Sequence, residues 1–470
     1  MLIFFVVLLP RAMAQGPQST MQDPPPIKFL SRTPFCNLNG PLIHIPSTSA
    51  GTEGLVVRVS PPEFARYSKG APIAVHMSAL PFSVGQSFAC FSGQGFIDIG
   101  FLCPGVEFRD KDGTVWKSGG SAAARTYAGT LACVAPLADV LSFATGKTRS
   151  LEGKSIQDYA GTVRAATNNV GLVGYSFGGN LAILATARHG ERFPGLKWYA
   201  SWETPVLGPV DTGTGTELQW NRFYDPNTGK IDFDRLKYSP EMPIWVWPFQ
   251  GLSRKPDWPR GGLYLDGDGD GVFNRERDYA FWVDVDPGPP LKAFYSPATT
   301  RKAVELNVFG GKWPAHIATL DEVEERARRD DALRHIRVAV KKFPRLAVLV
   351  FETELVHIAQ PADHPNALAE VNAWLDAGAR WVRLNPDVHY IEAMMGRKPS
   401  RAVQSPAGRR LDRGVIRGLV EPEDKDGGPT DNQGMNAVAC ELADRTYRKN
   451  WTPVLNRILV QRKPAGTLTR

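Results

Sequence analysis

Residues 170–188 read VGLVGYSFGGNLAILATAR. Val170 to Tyr175 is a short apolar run of the kind that forms a strand buried on both faces, and Phe177 to Arg188 continues as a helix. Between them lies Gly174-Tyr175-Ser176-Phe177-Gly178, a G-x-S-x-G pattern followed by Gly179. A serine on a sharp strand-to-helix turn must hold strained dihedrals, and its neighbours must approach closely. Glycines two before and two after leave room for the crossing of strand and helix. The hydroxyl then stands above the strand ends, beside helix N-terminal N–H groups that favour a developing oxyanion.

Working outward, further short apolar runs read as strands, with amphipathic stretches between some of them. Leu42–Pro46 and Leu55–Val59 suit an opening antiparallel pair. Residues 72–77, 96–102, 196–202, 346–351 and 380–384 read as strands, and residues 125–144, 366–379 and 436–447 as helices. Alternating strands and helices predict an α/β fold, with a mostly parallel central sheet and helices on both faces. Residues 204–343 break that rhythm. This segment is rich in Trp, Pro, Gly and Asp, carries Trp220, Trp245, Trp247, Trp258, Trp282 and Trp313, and ends in a charged helical stretch, 320–342, with Thr319 as its N-cap. The division expected is a core of 41–203 and 344–470 and an insertion of 204–343 over one end of the sheet as a lid or cap. The tryptophans either roof a pocket or pack the insertion's own core.

On the motif GYSFGG at 174–179 and on the strand–helix order over 40–205 and 340–395, the chain resembles the α/β-hydrolase superfamily of serine hydrolases. The resemblance implies the chain order nucleophile, acid, histidine, with the acid after a later strand and the histidine after the last. Ser176 is then the nucleophile. His389, in Asn385-Pro-Asp-Val-His389 after the strand 380–384, takes the place of the general base; His357 and His364 are its rivals, and His76, inside an apolar strand, reads as a core residue. The acid expected is Glu354, in Glu352-Thr-Glu354 after strand 346–351, with Asp363 as the alternative and Glu203 as a third choice. Its task is to fix the imidazole tautomer and stabilise the imidazolium. The oxyanion hole combines the backbone N–H of Phe177 with one from the loop after 72–77, Ala79 being the best single residue.

The insertion contains Asp266-Gly-Asp268-Gly-Asp270-Gly271-Val272, the first half of an EF-hand-like loop. Alternating aspartates aim three carboxylates at one centre, Gly271 permits the turn, and the Val272 carbonyl suits the next position. Arg277 stands where the bidentate glutamate belongs, so Asp278 or Glu276 would have to replace it. Hard oxygen ligands in this number select calcium, here expected as a structural ion. The alternative is an acidic turn without metal.

Of the 470 residues 43% are hydrophobic and 22% charged, ordinary for a chain that folds around a core. No run inside the body reaches the roughly 18 apolar residues of a membrane span. The net charge of +7 is scattered, and no nucleic-acid module is recognisable. An apolar run from Leu2 to Leu9 followed by Ala12-Met13-Ala14 reads as a secretory signal peptide of 1–14, and 15–40 as an N-terminal leader. Five cysteines (Cys36, Cys90, Cys103, Cys133, Cys440) permit at most two bridges and leave one thiol over. The expectation is a secreted or periplasmic enzyme of the carboxylesterase or lipase type that acts on an ester or lipid-like substrate and uses no organic cofactor. A serine peptidase or amidase of the same fold and a non-catalytic hydrolase-like binding protein are the alternatives; oligomeric state is left open.

Overall fold

The computed structural model describes residues 40–78, 91–121, 129–206, 224–225, 230–242, 246–247, 260–281, 283–286, 292–352, 365–395 and 431–451. Eight strands form the central sheet: β1 (Leu42–Ser47), β2 (Gly51–Ser60), β3 (Ala71–Met77), β4 (Ile97–Phe101), β5 (Ala165–Tyr175), β6 (Leu196–Trp202), β7 (Ala347–Phe351) and β8 (Trp381–Leu384). Their order is β1-β2-β4-β3-β5-β6-β7-β8. β2 runs antiparallel to both its neighbours, and from β4 to β8 every pairing is parallel.

Parallel strands need both faces covered, and the alternation of side chains shows how this is met. Ile73, Val75, Leu172, Val348 and Val350 enter the larger core cluster, while Ala74, Val173, Tyr175, Leu349 and Phe351 enter the second. The larger cluster is closed by α1 (Val134–Ala144), α2 (Phe177–His189), α3 (Ala332–Lys342) and α4 (Pro365–Asp376). The other face receives Tyr390 and Ile391 of α5 (Val388–Met395) and a run of small and apolar side chains from α6 (Asp431–Arg448), which starts earlier than the periodicity suggested. Buried ion pairs fix α6 in place, Arg66 to Asp444 at 2.8 Å and Arg383 to Glu441 at 2.6 Å. A disulfide joins Cys103 to Cys133, Cys440 is a buried free thiol, and Cys36 and Cys90 lie outside the described residues. Among the described residues, no helix is long and apolar enough to cross a membrane.

The charged stretch 320–342 is two helices. The first, Leu320–Asp330, starts at a capping box between Thr319 and Glu322, and Asp331 ends it by capping α3, its side chain accepting from Leu333 N at 3.0 Å. An aspartate that satisfies the first N–H groups of a new helix interrupts an otherwise continuous pattern. The α3 helix also belongs to the core rather than to the insertion, because Ile336, Ala339, Val340 and Phe343 pack in the larger cluster and Phe343 presses on Gly190 just after α2. The insertion has its own smaller core of Leu236, Leu263, Leu265, Phe281, Tyr295, Ile317 and their neighbours. Trp313 packs there against Phe309, so for this tryptophan local packing holds; the side chains of the other five lie outside the described residues.

Candidate active site at the strand ends

Ser176 stands between β5 and α2 with φ 50° and ψ −129°, a left-handed conformation that costs a non-glycine residue about 1–3 kcal/mol. Its N–H donates to the Trp202 carbonyl (2.8 Å), and its own carbonyl accepts from Gly179 N (2.9 Å). The neighbouring glycines have the function their spacing implied. A Cβ on Gly174 would collide with Gly179, one on Gly178 with the Met77 carbonyl and Ser78, and one on Gly179 with the Thr204 hydroxyl. Helix α2 therefore starts in contact with the end of β3, where the loop expected to complete the oxyanion hole begins. Phe177 is the first residue of α2; Ala79 lies outside the described residues.

The register of the sheet adds what the motif could not. Tyr175 pairs with Trp202, and Trp202 with Phe351, so the next residues, Ser176, Glu203 and Glu352, end three adjacent parallel strands at one level. Glu203 is 1% exposed and Glu352 3%. Glu203 itself has φ 49°, and its N–H donates to the Phe351 carbonyl at 3.1 Å. One strand further, Asn385 (φ 58°) clamps the backbone of Glu352. Its side-chain oxygen accepts from Glu352 N at 2.8 Å, and its amide donates to the Glu352 carbonyl at 3.0 Å. Both carboxyl oxygens of Glu352 are buried without a hydrogen-bond partner among the described residues. Burial, then the neighbouring Glu203, then Glu370, push this carboxyl well above the ordinary range. Behind it, burial raises Glu370 to about 7, although it accepts from Ser201 at 2.7 Å and Trp374 at 3.3 Å.

The predicted base has its side-chain contact on its own helix. His389 sits in the first turn of α5 and not on a loop, because Asp387 accepts its N–H at 3.0 Å and starts the helix. Its side chain is 67% exposed, with Nδ1 3.1 Å from Glu392, and among the described residues no hydrogen bond joins it to Ser176. Glu354, Asp363, His357 and His364 lie outside the described residues. His76 is the satisfied core residue expected, between the Tyr175 hydroxyl (2.9 Å) and Asp98 (3.0 Å). Glu352 and Asn385 were missed as site residues. The available signal was that β6 and β7 end alike, Trp202-Glu203 and Phe351-Glu352, aromatic then glutamate.

The aspartate-rich loop is the tip of a β-hairpin, strands Gly262–Leu265 and Tyr279–Ala280, with no helix on either side. Carboxylate oxygens of Asp266, Asp268 and Asp278 all lie within 4.8 Å of one another, with Asp278 standing in the place its sequence position offered. Asp270 does not join them. Asp270 accepts from Val272 N at 2.7 Å and faces Arg277 at 3.8 Å. The reason is the hairpin, which folds Arg277 back over the loop and onto Asp268 at 2.6 Å.

The sheet order, the antiparallel β2 and the serine turn after β5 are those of the α/β-hydrolase fold. No protein-family model matches the chain, and no curated protein matches it in sequence. Solved structures similar to it include a Klebsiella pneumoniae protein described as a dienelactone hydrolase (18% identity, 36% of this chain and 61% of that one, TM-score 0.23). A puromycin hydrolase (12%, 73% and 34%, TM-score 0.29) and the esterase rPPE (10%, 88% and 86%, TM-score 0.35) are also similar. The chain thus spans less than two thirds of the first two. Similarities at this level carry no argument, and the fold assignment rests on the strand order and the serine turn.

Proposed function

We propose that the protein is a secreted serine hydrolase that cleaves carboxylic esters through an acyl-enzyme on Ser176. The observation that carries the reading is the backbone of Ser176, held at positive φ between a buried strand and a helix whose first glycines admit no side chain. Such strain persists where surrounding structure enforces it and function uses it. The Ser176 hydroxyl attacks the ester carbonyl while a histidine takes its proton. The resulting oxyanion is received by the N–H of Phe177 and one from the loop after β3, with Ala79 the first choice. The imidazolium then protonates the departing alcohol, and water, activated by the same histidine, releases the acid.

Glu352 is the carboxylate best supported as the partner of that histidine, ahead of Glu354 and Asp363. It ends the strand two away from that of Ser176, about 10 Å off at ordinary strand spacing, which leaves room for one imidazole between them. Glu203, on the intervening strand, raises the cost of ionising Glu352, a cost that an imidazolium would offset. His389 holds the base role by chain order; its present partner is Glu392. A second reading, with His357 or His364 as base, is favoured by the unpartnered carboxyl of Glu352, which directly precedes the segment that carries them. The insertion would roof the pocket and set the choice of acyl group. The disulfide Cys103–Cys133 supports an oxidising, extracytoplasmic compartment.

The test is fluorophosphonate labelling of the purified protein with peptide mapping. Label on Ser176, lost in Ser176→Ala and in one of His389→Ala, His357→Ala or His364→Ala, establishes nucleophile and base together. Matched ester and anilide substrates then separate esterase from peptidase or amidase. Label on another serine, or none, would replace the enzyme by the hydrolase-like binding protein.

A further inference from the structure

The hairpin tip places two aspartates in a costly position. Leu265 pairs with Tyr279 at the end of the ladder, and Asp266 and Asp278 follow on the two sides of the hairpin, two like charges with carboxylate oxygens within 4.8 Å of each other. Both are buried, at 4% and 7% exposure. Their oxygens accept only backbone N–H groups, Asp266 from Gly269 and Gly271 and Asp278 from Gly267 and Asn274, at 2.6–3.0 Å. Among the described residues no side-chain cation reaches either one, since Arg277 is taken up by Asp268 and Asp270. Each carboxylate oxygen has a second lone pair to give.

An independent group points to the same centre. Tyr264 precedes Asp266 by two residues, hence lies on the same face of the hairpin, and its ring packs edge-on to Phe273 of the loop at 5.4 Å. The residue is fully buried, yet its hydroxyl has no hydrogen-bond partner. A buried phenol without a partner carries a desolvation cost, so an acceptor is expected there.

We propose that the hairpin binds one calcium ion through carboxylate oxygens of Asp266, Asp268 and Asp278, with the Tyr264 hydroxyl bonded to a water on the ion. Oxygens within 4.8 Å of one another can share a centre at the 2.3–2.6 Å of calcium–oxygen bonds. An all-oxygen set excludes a preference for zinc, and loop carboxylates with water completing the shell suit calcium better than octahedral magnesium. Asp268 keeps its contact with Arg277 from the far side, so the arginine is a built-in brake on affinity. The inference is independent of the hydrolase reading.

The full-length protein, stripped with a chelator, is titrated with calcium and with terbium while thermal unfolding and tyrosine-sensitised terbium emission are followed. Calcium should raise the Tm in a saturable way, and magnesium at the same concentration should not. Asp278→Asn should weaken binding by about ten-fold or more, through loss of a charged ligand. Arg277→Gln, at an exposed position that leaves the fold alone, should tighten it by about three-fold or more. Tyr264→Phe should keep terbium bound but remove most of the sensitised emission. No calcium-dependent Tm shift, or binding that Arg277→Gln and Asp278→Asn both leave unchanged, would overturn the proposal.

Discussion

Two pairs of buried carboxyl groups sit on neighbouring strands of this molecule, and they are built in opposite ways. In the hairpin, Asp266 and Asp278 are wrapped in four backbone N–H groups that donate to their carboxylate oxygens. At the sheet ends, Glu352 has no hydrogen-bond partner for either oxygen, and burial beside Glu203 favours the proton-bearing form. A pair of the first kind can be completed by a cation, and one of the second kind by a group that brings a proton or a positive charge. The difference teaches that burial alone does not assign a role; what donates to the carboxyl does.

That contrast can be broken by substitutions that remove charge without changing shape. The largest effect is expected from Glu352→Gln, which should lower ester turnover by about 10³–10⁴-fold, as loss of a charged orienting group does in serine hydrolases. Full turnover in this variant, with loss instead in Glu354→Gln, would return the role to Glu354. Asp278→Asn should do the reverse, losing the calcium-dependent part of the Tm while turnover per folded molecule persists.

Glu370 sharpens the sheet-end side of the comparison. Folded, it holds its proton up to about pH 7, whereas an ordinary glutamate releases it from about 4.5. Between these values the folded state binds more protons, so stability falls as pH rises through that window, by about 3 kcal/mol in full. Glu370→Gln should remove that fall, read as urea unfolding free energies at pH 5 and pH 8; an unchanged slope would show that Glu370 is not its source. The smallest effect belongs to Thr319→Ala, which opens the capping box of helix Leu320–Asp330 and should cost about 1 kcal/mol. If that helix melts independently of the sheet, the loss will appear in local hydrogen exchange and not in the global transition.

The local signals of this chain were legible because they arise from neighbours in sequence. The run from Val170 to Arg188 dictates strand, strained turn and helix through apolar spacing and close-packed glycines, and the Asp266–Val272 stretch dictates a turn crowded with carboxylates. The α/β alternation, the Thr319 cap and the core role of His76 follow in the same way. What joins distant segments was decided by tertiary structure. Only the pairing of β5, β6 and β7 sets Ser176, Glu203 and Glu352 at one level, because register depends on how whole strands pack. Only the hairpin register brings Asp278 near Asp266 and turns Arg277 onto Asp268, and only packing on α2 assigns α3 to the core rather than the insertion. Periodicity tells a chain which face to bury; the partner strand or helix it meets decides which charges must then share a site.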